Sequence, residues 1–92
     1  MVYWIGLCRT GIGEIFRERG YESITKCRRY ALGILSKGGY DWIAIHTNKD
    51  TRYHIETIEK SKGGYTVFKY VRSRKRFVEY KLNNDGTLGK EM

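Results

Sequence analysis

Apolar and polar positions divide this chain into short segments. From Val2 to Arg9 apolar side chains occupy both parities (Val2, Trp4 and Cys8 against Tyr3, Ile5 and Leu7), which predicts a strand covered on two sides. Thr10-Gly11-Ile12-Gly13 reads as a hairpin turn, because glycine takes the positive φ that tight turns require. A second strand runs from Glu14 to Arg19, with Ile15 and Phe16 as its apolar residues, and Gly20-Tyr21-Glu22 breaks it. Ser23 to Lys37 is the one helical segment: Ser23 suits an N-cap, Ile24, Cys27, Ala31, Ile34 and Leu35 form a stripe at spacings of three and four, and Gly38-Gly39 stops the helix. The rest is strand-like. Asp41–Thr47 turns through Asn48-Lys49-Asp50 into Arg52–Glu59, where Tyr53 and Ile55 alternate with polar residues, and Lys62-Gly63-Gly64 turns the chain again. Tyr65–Arg72 and Arg76–Leu82 form a last hairpin around Ser73-Arg74-Lys75, Asn83-Asn84-Asp85-Gly86 is a turn, and residues 87–92 are expected to fray.

The pattern therefore predicts one α+β domain over residues 1–92: an antiparallel sheet of five to six strands in the order β-β-α-β-β-β-β, with one helix packed on one face to bury its stripe. In the last hairpin, Phe68, Tyr70, Val78, Tyr80 and Leu82 share even parity, while Val67, Lys69, Val71, Phe77, Glu79 and Lys81 share odd parity. If the even set packs under the helix, the odd set forms an outer face mixing apolar side chains with cations.

Charge adds a functional question. The chain has 92 residues and a net charge of +8, and Lys60 to Lys81 alone contains eight cations (Lys60, Lys62, Lys69, Arg72, Arg74, Lys75, Arg76, Lys81) against the single anion Glu79. Tyr65, Phe68, Tyr70, Phe77 and Tyr80 are interleaved with them. Cations attract phosphates and release counterions, and flat rings give bases a stacking surface. Tyr65, Lys69, Arg72, Arg74, Lys75, Arg76, Phe77 and Lys81 are thus the candidate binding residues, and nucleic acid, DNA or RNA, is the first partner expected. Arg72, Arg74, Lys75 and Arg76 would hold phosphates, Lys69 and Lys81 would line the approach, and Tyr65 or Phe77 would stack a base. Two other readings stand beside this one. Exposed cations on strands also discourage edge-to-edge aggregation. The same surface could instead dock on an acidic protein, with Val67, Val71 and Phe77 as its apolar centre and the arginines as its rim. Lys26, Arg28, Arg29 and Lys37 on the helix either extend the basic surface or form an ordinary solvated face.

Dedicated chemistry is sparse. His46 and His54 are the only histidines, and pairing Thr47 with Thr51 would make them diagonal neighbours on one face. With Glu56 they could ligate zinc or cleave RNA, but no HExxH or CxxC spacing accompanies them, and a structural pair is the better reading. Cys8 and Cys27 read as packing residues, with a disulfide between them left open. Gly11-Ile12-Gly13 is followed by no helix, so it is a turn and not a dinucleotide fingerprint. Trp4 and Trp42 read as core anchors. No catalytic residue, metal or cofactor is predicted.

Composition bounds the setting. Hydrophobic residues make up 40% and aromatic residues 14% of the chain, as expected of a folded domain. A domain this small buries only roughly 60% of its unfolded surface, so association as a homodimer is one route to added stability. No apolar run spans a bilayer and no charged start precedes an apolar stretch, so no membrane attachment is expected. Two cysteines in a lysine-rich chain suit a reducing cytoplasm. In size, in tyrosine and lysine content and in lacking catalytic spacing, the chain resembles the small accessory proteins of bacteriophages and mobile elements, some of which inhibit host defence nucleases. That resemblance implies a bacterial host cytoplasm and, as the alternative function, inhibition of a host protein. It covers no defined motif and transfers no residues.

Overall fold

The computed structural model describes residues 2–47 and 54–92, apart from the side chains at positions 16 and 18. The expected turn at Asn48-Lys49-Asp50, the Thr47–Thr51 pairing, the strand positions Arg52 and Tyr53, and the side chain of Phe16 lie outside the described residues. The elements are β1 (Tyr3–Arg9), β2 (Gly13–Tyr21), α1 (Ile24–Lys37), β3 (Trp42–His46), β4 (His54–Ser61), β5 (Gly64–Val71), β6 (Arg76–Leu82) and β7 (Leu88–Glu91), with one 3-10 turn at Arg72–Arg74 between β5 and β6. The fold is α+β. Among the described residues these seven strands form one antiparallel sheet in the order β2-β1-β3-β4-β5-β6-β7. Among the described residues no helix is long and apolar enough to cross a membrane.

Topology explains where the helix lies. β2 and β3 both run antiparallel to β1, so they are parallel to each other and their connection must cross β1. α1 makes that crossing and packs on β1, β3, β4 and β2. Ser23 caps it, its Oγ accepting from the Lys26 amide at 3.3 Å, and Gly38, at φ 80°, closes it by donating to the Leu35 carbonyl. Cys27, Ala31 and Leu35 meet Ile5, Leu7, Ile43, Ile45, Ile58, Val67 and Leu82 in a single core. Each isoleucine fully buried there contributes about 1.5–3 kcal/mol.

One core contact is ionic. Arg28 follows the stripe residue Cys27 and points into the protein, where Nε and Nη2 donate to Glu56 Oε1 and Oε2 at 2.9 and 2.6 Å. Its Nη1 donates to the Gly86 carbonyl at 3.4 Å, tying the β6–β7 turn to the first turns of the helix. Arg28 therefore does not belong to the exposed helical surface considered from the sequence.

Several sequence expectations are corrected. The sheet has seven strands among the described residues, more than the five to six expected, and the last is added where the Asn83–Thr87 turn reverses the chain tightly. Asp85 Oδ1 accepts from the Thr87 amide at 3.0 Å, and Leu88 lands opposite Leu82 instead of fraying. β2 continues to Tyr21 through Gly20, whose missing side chain leaves room for Val2 and the Trp4 ring. In the last hairpin, Val71 pairs with Arg76 and Val67 with Tyr80, so four residues rather than three make the connection and parity changes across it. The helix-side face carries Tyr65, Val67, Lys69 and Val71 from β5 with Arg76, Val78, Tyr80 and Leu82 from β6. The open face carries Thr66, Phe68 and Tyr70 with Phe77, Glu79 and Lys81. Neither parity set holds together as a face. Trp4 and Trp42 are half-buried on the open face, opposite His46 and Glu59, rather than in the helix-side core.

Candidate nucleic-acid interface

At the tip of the β5–β6 hairpin the chain makes a 3-10 turn over Arg72–Arg74 and then a left-handed residue, Lys75 at φ 51°, the only non-glycine residue with positive φ among those described. This geometry throws the side chains of Arg72, Arg74, Lys75 and Arg76 outward, and all four are exposed. Arg74 is neutralised by the protein itself: its Nη1 donates to Glu91 Oε1, from β7. That pair holds the Arg74 guanidinium even more firmly protonated than usual. Arg72, Lys75 and Arg76 form no ion pair with a carboxylate among the described residues.

The remaining candidates divide between the two faces. Phe77 is 41% exposed on the open face and meets Tyr70, 42% exposed, edge-on at a centroid distance of 5.4 Å, while its other side stacks on His54 at 5.5 Å. Lys81 shares that face, opposite Thr66. Tyr65 instead packs against the helix-side core. Lys69 lies on that side too, in a groove of about 470 Å³ with Tyr3, Ile24, Arg28, Ile55, Glu56, Tyr70 and Arg72. The structure thus brings Arg72, Lys75, Arg76, Phe77 and Tyr70 together at one end of the hairpin. It separates Tyr65 and Lys69 from Phe77 and Lys81. Val67 is fully buried, so the apolar centre expected for protein docking is not formed as Val67, Val71 and Phe77.

The histidines differ from their expected register. His46 lies directly opposite His54, since a β-bulge between Ile45 and His46 shifts the pairing, and the rings meet edge-on at 6.0 Å. His46 is fully buried, and its Nε2–H donates to Glu14 Oε2 at 2.7 Å. Glu14 reaches it diagonally across β1 by passing over Gly6, where any Cβ would overlap the carboxylate. His54 is exposed at its edge, and partial burial together with neighbouring His46 pulls it below the usual imidazole range. Glu56, the third ligand considered, is on the other face with Arg28, and no group of three or more His, Cys, Asp or Glu side chains suited to a metal occurs among the described residues. Cys8 and Cys27 are buried and unbonded, one on each side of the sheet, and burial raises their thiols to about 11 and about 12, as befits packing residues.

A second cationic cluster was only partly visible in the sequence. Arg17, Arg19 and Tyr21 on β2 face Lys26, Arg29, Tyr30 and Lys37 on α1 across a groove. β1, β3 and β4 lie between this strand and the hairpin, so the β2 cations do not continue the hairpin's surface. The signal was there to find: Arg17, Arg19 and Tyr21 alternate along a strand, and positions 26, 29, 30, 33 and 37 repeat at helical spacing beside the apolar stripe. No family model, curated protein or solved structure matches the chain.

Proposed function

We propose that this protein binds nucleic acid without acting on it as an enzyme, and that the tip of the β5–β6 hairpin is a principal contact. The observation that carries this reading is the placing of Arg72, Lys75 and Arg76, exposed and with no carboxylate partner among the described residues, at the same end of the hairpin as the exposed rings of Tyr70 and Phe77. Phosphates would lie on the three cations, and an unpaired base would stack on Phe77 or Tyr70. Buried free thiols suit work in a reducing cytoplasm.

The test is fluorescence anisotropy with labelled twelve-residue single strands of DNA and RNA between 50 and 300 mM salt. Affinity should fall steeply with salt, and replacing Arg72, Lys75 and Arg76 together by serine should flatten the log–log slope by about 2, at roughly 0.7 per phosphate of a single strand. Absence of binding at 50 mM salt would remove the reading. The Tyr70–Phe77 pair also favours a second one, docking on an acidic protein surface with these rings at the centre. The purified protein distinguishes the two: a 260/280 nm absorbance ratio that drops after a high-salt wash reports bound nucleic acid, and an unchanged ratio points to a protein partner.

A further inference from the structure

The groove between β2 and α1 combines three features that the fold itself does not require. Its volume is about 580 Å³, within the roughly 300–1,000 Å³ of ligand sites. Arg17, Arg19, Lys26, Arg29 and Lys37 line it, with no carboxylate among the described side chains. Asp85, whose carboxyl is held low by the Thr87 hydroxyl and amide with only a small contribution from Arg29, lies outside that lining and forms no ion pair with Arg29 among the described residues. Five cations facing one space repel each other, so the arrangement lowers stability unless an anion enters.

The second feature is an aromatic wall. Arg19 stands over the ring of buried Tyr21 at 5.5 Å, and Tyr21 braces Tyr30 at a centroid distance of 5.0 Å and an angle of 40°. Tyr30 is 47% exposed, so one ring is held firmly and left open to solvent among the cations. The third is Gly33, in the middle of α1. A Cβ built there meets nothing within 4 Å, and no positive φ calls for glycine. Glycine inside a helix is unfavourable, and nothing in the packing accounts for this one. Its position in the groove wall does: without a side chain, a ligand can approach the helix backbone beside Tyr30.

We propose that this groove binds a segment of single-stranded nucleic acid, with one base stacked on Tyr30, flanking phosphates on Arg17, Arg19 and Arg29, and the strand passing over Gly33. The proposal deepens the nucleic-acid reading by adding a contact on β2, with three strands between it and the hairpin. A duplex keeps its bases paired and stacked, so a lone presented ring selects unpaired bases.

The experiment uses the full chain, the same labelled single strands and thermal unfolding. Gly33→Ala should raise Tm by about 4 °C or more while weakening binding several-fold. A purely structural glycine would not move the two in opposite directions. Tyr30→Ala should weaken binding about tenfold, and Arg17→Ser with Arg29→Ser should flatten the salt slope by about 1.4. Thymidine monophosphate at millimolar concentration should leave most of the bound strand in place, whereas displacement at micromolar concentration would mean a site for a free nucleotide and overturn the proposal. If Gly33→Ala and Tyr30→Ala bind like wild type while the serine-substituted hairpin loses affinity, the groove proposal falls and the hairpin reading stands. If the hairpin variant binds normally and the groove variants do not, the groove is the site and the hairpin reading falls. No binding by wild type at 50 mM salt removes both.

Discussion

The two faces of the sheet each hold an acid against a basic partner, Glu56 and Arg28 both buried under the helix, half-buried Glu14 and fully buried His46 on the open face. Under the helix, Arg28 and Glu56 form a two-pronged ion pair between rigid elements, with the arginine also held by the Gly86 carbonyl. On the open face no described element forms a second layer, and the Glu14 carboxylate reaches His46 through the space left by the absent side chain of Gly6. The first pair fastens three parts of the chain. The second depends on one missing methyl group. The pairing thus follows from packing by a layer in one case and from local shape in the other.

The covered pair should be the costlier to break. Arg28→Ala leaves the Glu56 carboxylate buried and alone and releases the β6–β7 turn, so a loss of about 3–5 kcal/mol is expected by urea unfolding. Arg28→Met combined with Glu56→Leu should recover most of that loss, because it removes both charges while keeping the volume. If the double variant is as unstable as the single one, the pair is not what holds the helix to β4.

On the open face, Gly6→Ala should displace the Glu14 carboxylate and deprive buried His46 of it, at about 1–3 kcal/mol. Glu14→Ala should cost a similar amount. The informative measurement is the cycle: Gly6→Ala made in the Glu14→Ala background should cost little, since the two changes act through one contact. Full additivity would show that Gly6 serves some other purpose.

Acid should separate the faces further. His54 titrates lower in the folded protein than in the unfolded chain, so its neutral form is the one the fold prefers. Stability from this group is intact above about pH 6.5, the unfolded value, and is lost as pH falls from there through the folded value. Tm should therefore decline below pH 6.5, and His54→Gln should reduce that decline. His46 and Glu14 face His54 from β3 and β2, so Glu14→Gln is the control that shows whether their pair contributes to the same window. An unchanged pH profile in His54→Gln would assign the decline elsewhere.

Much of this was legible in the chain, and the misses have specific physical origins. Ser23, the 27-31-35 stripe and Gly38 marked the helix correctly because caps and periodicity are local signals. Register is not local. A four-residue connection at Arg72–Lys75 instead of three reversed the faces of β5 relative to β6, which placed Tyr65, Val67 and Lys69 on the helix side while Phe77 stayed on the outward face as expected. Gly20 read as a break because its role, making room for Trp4 and Val2, lies in residues nearly twenty positions away. Arg28 read as a surface cation for the same reason: its partner Glu56 is in β4. The groove escaped notice because Arg17 and Arg19 belong to a different element from Lys26, Arg29 and Tyr30, and only the β2–α1 packing brings the two rows together.

The smallest stability effect is expected from a third pair, Arg74–Glu91, which has no cover at all. Both side chains are close to half exposed, so water and salt screen their attraction, and Arg74→Ala should leave the urea midpoint where it is in wild type. Binding is where this pair should register. Glu91 holds the one tip cation that is not available to a phosphate, so Glu91→Gln should free Arg74, tighten binding to a labelled single strand and steepen the log–log salt slope by about 0.7. Arg74→Ser in the Glu91→Gln background should cancel both gains. An unaltered slope in Glu91→Gln would mean that the strand does not reach Arg74, and would confine the hairpin contact to Arg72, Lys75 and Arg76.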